Sequence, residues 1–156
     1  MKKLDRGQML QLLGNAGVII GILLLVYELN QNREMMMAQT RHELSQGLID
    51  NLYRISTDEQ SADIVHRGNS GESLTELESF RYTWMTNAQT RYHEDVFYQY
   101  RVGLYDEAEY AAHREAWRNN VYANKGVADT FCSYRPNLSP EFVAEIEGLL
   151  TSYRCG

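Results

Sequence analysis

Proline and cysteine each occur only twice in the 156 residues, and glycine eleven times. With so little Pro and Gly, and 23% charged residues, the composition is that of a globular chain rather than a disordered one. Cys132 and Cys155 are not a close-spaced pair, so no zinc or thioredoxin-like motif is indicated. In an oxidising compartment they would bridge and staple the C-terminal helix. In a reducing one they stay free thiols, and free thiols are the expectation.

Positive charge is also in short supply. Lys2, Lys3 and Arg6 precede a long apolar run together with Asp5; the 12 bases and 20 acids that remain give that remainder a net charge of -8, against -6 for the whole chain. An acidic domain is a poor electrostatic match for nucleic acid, which is not expected as a partner, and for a surface of anionic lipid.

Catalytic motifs are missing too. The sequence holds no Gly-x-Ser-x-Gly, no phosphate loop, no dinucleotide fingerprint and no His-Glu-x-x-His. The histidines are His42, His66, His93 and His113. A helical di-metal site needs Glu-x-x-His on two helices. Here Asp63-x-x-His66 stands alone, and Glu109 with His113 makes a single pair four residues apart. The carboxylate pairs Glu94-Asp95 and Asp106-Glu107 are adjacent, so on a helix they diverge rather than meet at one reacting atom. No enzyme activity, cofactor or metal is expected.

What the sequence does have is an uncharged stretch of 19 residues from Met9 to Tyr27. At helical rise it spans about 28 Å, the hydrocarbon thickness of a bilayer. The stretch is long for a signal-peptide core and no A-x-A site follows, so it reads as a retained transmembrane helix over residues 9–27. Residues 1–8 form a basic tail and 28–156 a soluble domain. Three bases precede the span, whereas Arg33 and Arg41 follow it mixed with Glu28, Glu34 and Glu43; the positive-inside rule then puts the domain outside the cytoplasm. Gly14, Gly17 and Gly21 share one face at spacings of three and four, a candidate contact with another membrane helix. Gln11 and Asn15, the strongly polar residues of the span, would suit such a partner.

Beyond the span no β-alternating run occurs, and the expected fold is all-α: the membrane helix continuing into a small helical bundle. Leu44, Leu48, Leu52 and Ile55 repeat at helical spacing. Met35 to Met37 read as packing residues rather than a soft-metal site. Thr57-x-x-Gln60 suggests a capping box opening a short helix that Gly68 closes, and Ser73-x-x-Glu76 one for a long helix over 74–102. On the latter, Leu77, Phe80, Trp84 and Ala88 form one stripe, and Met85, Tyr92, Val96 and Tyr100 another. Gly103 ends that helix. Asp106-x-x-Glu109 starts the next, with Tyr110, Trp117 and Val121, and Lys125-Gly126 is expected to break it. Ser139-Pro140 opens a last helix carrying Phe142, Ile146, Leu149, Leu150 and Tyr153.

The segment Arg91 to Tyr110 is rich in tyrosine, which suits interfaces. Glu94, Tyr98 and Arg101 share a face, and with Gln99 they make a candidate interaction surface, or else an internal hydrogen-bond network. The exit Leu29-Asn30-Gln31-Asn32-Arg33, the middle Glu94, Tyr98, Gln99, Arg101, Gly103, Leu104, Asp106 and the Ser139 to Phe142 start resemble a group of small bacterial single-span membrane proteins of unknown function. The resemblance implies a bacterial inner-membrane protein with a helical domain and supplies no activity. It departs where Asp129, Thr130 and Phe131 stand in place of that group's paired tryptophans. The expected role is an interaction protein that contacts itself or another membrane protein, in its specific version an accessory subunit of a larger membrane complex. The alternative is a small-ligand sensor with an apolar cavity near Trp84, Tyr92 and Phe97.

Overall fold

A computed structural model describes residues 5–150 and 153–155, so Lys2 and Lys3 of the basic tail lie outside the described residues. Six α-helices and no strand occur among the described residues: α1 (Arg6–Thr57), α2 (Glu59–Ser70), α3 (Glu76–Arg101), α4 (Glu107–Ala116), α5 (Lys125–Tyr134) and α6 (Pro140–Glu147). The chain divides into two compact units, Met1–Gln39 and Thr40–Gly156.

The first unit is the N-terminal part of α1. It is long and apolar enough to cross a membrane, and none of its most apolar window is buried. Its leucines, isoleucines and valines from Leu10 to Leu29 are all exposed, which costs free energy in water and none in hydrocarbon. At Gly14, Gly17 and Gly21 an added Cβ would meet nothing within 4 Å. Met35 and Met36 are exposed as well.

In the second unit three helix boundaries, at Asp58, Gly71 and Thr75, fall one to three residues from their expected places. Helix α1 runs through Thr57, whose hydroxyl donates back to the Tyr53 carbonyl at 2.7 Å, and Thr57 does not cap α2. Asp58 does so instead, accepting from the Ser61 amide at 2.8 Å. Gly68 does not close α2; it lies buried inside the helix, and Gly71 at φ +76° supplies the left-handed stop. Helix α3 opens on a capping box of Thr75 and Glu78 rather than Ser73 and Glu76. Glu78 is fixed there because Arg67 of α2 also binds it, at 2.7 Å. Gly103, at φ +76°, follows the end of α3, and Asp106 caps α4, both as expected.

Lys125-Gly126 does not break a helix. It forms the first turn of α5, and the break comes earlier, where α4 passes into a π-helical turn, Trp117–Val121. Gly126 is required by close packing: a Cβ there would lie 1.9 Å from the Gly68 carbonyl oxygen of α2.

The core gathers Val96 and Phe97 from α3, Tyr110 from α4, Trp117 and Tyr122 around the π-turn, Phe131 from α5, and Phe142 and Ile146 from α6. Helix α6 stops at Glu147, so Leu149 reaches the core from the segment after it. The cysteines are not free thiols: Cys132 of α5 and Cys155 form a disulfide that ties this C-terminal segment back to the bundle, with 5.2 Å between their Cα atoms. Sequence spacing of 23 residues is silent on this, because only the fold brings the two α-carbons within bridging distance.

Candidate interaction surface

Helix α3 presents two contrasting faces. Inward it buries Tyr82, Thr86, Thr90, His93, Val96 and Phe97. Outward, at spacings of three and four, it carries Leu77, Phe80, Trp84, Ala88, Arg91, Asp95, Tyr98 and Val102, all exposed. The large apolar members are markedly open: Leu77 64%, Phe80 62%, Trp84 59% and Tyr98 59%. Phe80 and Trp84 meet edge to face, with ring centroids 6.1 Å apart, a favoured aromatic geometry. Beside them, Trp84, Met85 and Ala88 line a groove with Asn51, Arg54 and Ile55 of α1 and Ser61 of α2. Leu52 and Tyr53 of α1 are exposed as well. Leu77, Phe80 and Trp84 thus make one exposed apolar cluster on successive turns of α3.

The four residues singled out by sequence have different surroundings, although Glu94 and Tyr98 line one shallow surface cleft. Glu94 works inside the fold: its carboxylate accepts from the Ser139 amide at 2.6 Å and from the Arg91 guanidinium at 2.5 Å. It therefore satisfies the amide at the start of α6, where the Ser139 side chain makes no capping bond. Burial opposes its charge, but these donors outweigh the penalty and hold the carboxyl below its ordinary range. Arg91 completes the clamp, donating to the Asn137 carbonyl at 2.5 Å and the Tyr134 hydroxyl at 3.1 Å. Gln99 donates to Asp95 at 3.2 Å. Arg101 lies 3.7 Å from Glu141 and over the Phe97 ring at 5.6 Å. Tyr98 alone of the four presents its ring to solvent. Sequence reasoning did mark the Leu77–Phe80–Trp84 stripe, but periodicity reports that residues share a face and not which way the face points.

The expected apolar cavity near Trp84, Tyr92 and Phe97 does not form as one space. Phe97 packs on Tyr110 and Phe142, Tyr92 donates its hydroxyl to the Leu44 carbonyl at 3.0 Å, and Trp84 borders the surface groove.

His93 is a buried titratable group on the inner face of α3. It stacks on Trp117 at 4.6 Å and its Nδ1 lies 3.1 Å from the Tyr122 hydroxyl. Burial, with a smaller contribution from His113, pushes its pKa down to about 3. Between that value and the ordinary value near 6.5 the unfolded chain takes up a proton that the native state refuses. The stability is thus complete above about pH 6.5 and is lost as pH falls, by about 1.4 kcal/mol per unit from this group. Chemical denaturation of wild type and His93→Gln at pH 7, 6, 5 and 4 checks this: the wild type should lose stability more steeply, and parallel curves would refute it. No group of three or more metal-ligating side chains occurs among the described residues.

The fold and surface define an all-α protein with one helix able to cross a membrane and a helical domain with an uncovered aromatic stripe. No family model, curated protein or solved structure matches the chain.

Proposed function

We propose that the chain is a membrane-anchored interaction protein, an accessory subunit of a larger complex in a bacterial inner membrane. The N-terminal part of α1 is the single span, its basic tail lies in the cytoplasm, and the helical domain works in the periplasm. The carrying observation is the outward face of α3, where Leu77, Phe80 and Trp84 stand exposed together. The occupant this face fits is an apolar helix face of a partner membrane protein, with the groove beside Trp84 taking its largest side chain. Gly14, Gly17 and Gly21 supply a flat face for a neighbouring helix within the bilayer. Two features support the periplasmic placement: the excess of bases before the span, and the Cys132–Cys155 bridge, since such bonds persist in oxidising compartments.

The test is the native size of the full chain, extracted in mild detergent from its own membranes at natural abundance, with the co-migrating proteins identified. Wild type should run in a stoichiometric assembly. A Phe80→Ser, Trp84→Ser double variant should leave that assembly while its unfolding midpoint moves by about 4 °C or less, because each exposed substitution changes stability by only about 0.5 kcal/mol. A wild-type monomer, or an assembly the double variant still joins, would defeat the reading.

A further inference from the structure

A second cleft, of about 310 Å³, opens between α3 and α5, lined by Thr83, Asn87, Asp129, Thr130, Ser133 and Tyr134. None of its residues belongs to the aromatic stripe. Asn87 is buried, and its Oδ1 is the one buried side-chain polar atom without a hydrogen-bond partner among the described residues. An orphaned buried acceptor costs on the order of 1–3 kcal/mol, so one that stands at a cleft calls for a donor.

Thr130, Ser133 and Asp129 carry the same bias. The Thr130 hydroxyl donates its proton to the Gly126 carbonyl at 2.8 Å, and Ser133 donates to the Asp129 carbonyl at 3.1 Å. Each hydroxyl has a single proton, so both are left with lone pairs to offer. Asp129 uses Oδ2 on Lys125 at 2.6 Å, and its other carboxylate oxygen carries no such bond to Lys125. The Tyr134 hydroxyl oxygen already accepts from Arg91. The cleft therefore offers the acceptors of Asn87, Thr130, Ser133 and Asp129, the Asp129 charge being paired with Lys125, on a domain whose net charge is negative.

We propose that this cleft binds a small primary ammonium compound. An ammonium offers three donors and no acceptor, the complement of Asn87 Oδ1, Asp129 and the spent hydroxyls. The terminal torsion of an asparagine amide is soft, so Oδ1 turns to meet the ligand without a backbone shift. The negative field of the domain draws cations toward the cleft.

The test uses the full chain in mild-detergent micelles and isothermal titration with 1,4-diaminobutane. Controls at equal ionic strength are 1,4-butanediol, which keeps the length without the charge, and propionate, which reverses it. The diamine should bind saturably and the two controls should not. Asn87→Leu and Asp129→Asn should each weaken binding about tenfold, the loss expected for one charge-assisted hydrogen bond. Asn87→Leu should keep or raise the unfolding midpoint, since it removes the orphan, so lost binding there is not lost folding. Should Asn87→Leu fail to fold, Asp129→Asn at the protein surface decides alone. Absence of saturable binding up to about 10 mM, equal binding of the diol or of propionate, or undiminished binding by the variants would each overturn the proposal; 10 mM marks an interaction of only about 2.7 kcal/mol.

Discussion

Replacing Cys132 and Cys155 together by serine is expected to lower the unfolding midpoint by about 10 °C. The bridge joins residues 23 apart in sequence, and closing a loop of that size in the unfolded chain is worth about 3 kcal/mol in the chain-entropy account. At about 3–4 °C per kcal/mol for a domain of this size, the shift follows. The loop contains α6, with Phe142 and Ile146, and then Leu149, all three buried. Helix α6 has only 8 residues, too few to persist without the packing that holds it in place. The tether therefore holds a segment that supplies core side chains with little helical stability of its own. Thermal unfolding followed by circular dichroism, with and without dithiothreitol, checks this. Wild type in reductant should fall to the variant's midpoint, and the variant should ignore the reductant. Equal midpoints for wild type and variant without reductant would show that the bridge adds no stability.

The helices were legible in the sequence because their signals are local. Hydrophobic spacing marked α1, α3 and α6, and Asp106 and Gly103 marked a start and a stop that the chain uses. Signals that depend on a third party were not legible. Thr75 wins the cap of α3 over Ser73 because Glu78 answers it and is itself held by Arg67 from another helix. By spacing Glu94 shares a face with Tyr98 and Arg101. Its role follows from the Ser139 amide, 45 residues away, which no spacing rule reaches. The acceptor-rich cleft was invisible for the same reason: Asn87 and Asp129 sit on separate helices, and its character depends on where the Thr130 and Ser133 protons go. The aromatic stripe lies between these cases, since its periodicity was plain and its direction was not.

Glycine shows most sharply how little residue type alone decides, and Gly126→Ala is expected to destabilise the domain by about 2 kcal/mol. Taken alone, the change should help, because Ala is favoured over Gly within a helix by about 1 kcal/mol, and Gly126 lies in the first turn of α5. Tertiary packing reverses the sign. The new Cβ would sit 1.9 Å from the Gly68 carbonyl oxygen and 2.7 Å from the Tyr82 hydroxyl. A backbone oxygen cannot rotate away as a side chain can, so α5 must move off α2. Overpacking of this kind costs about 1–3 kcal/mol and occasionally more, enough to overwhelm the helical gain. Gly68 is caught in the same contact, its own Cβ falling 2.4 Å from the Tyr82 ring. Gly47 of α1 provides the control, since a Cβ there meets the Tyr92 ring at 3.8 Å, an ordinary contact. Gly47→Ala should therefore raise stability by about 0.5–1 kcal/mol. Urea titration of both variants reads the pair: opposite signs are required, and a Gly126→Ala protein as stable as wild type would mean that α2 and α5 are not held in contact at Gly68.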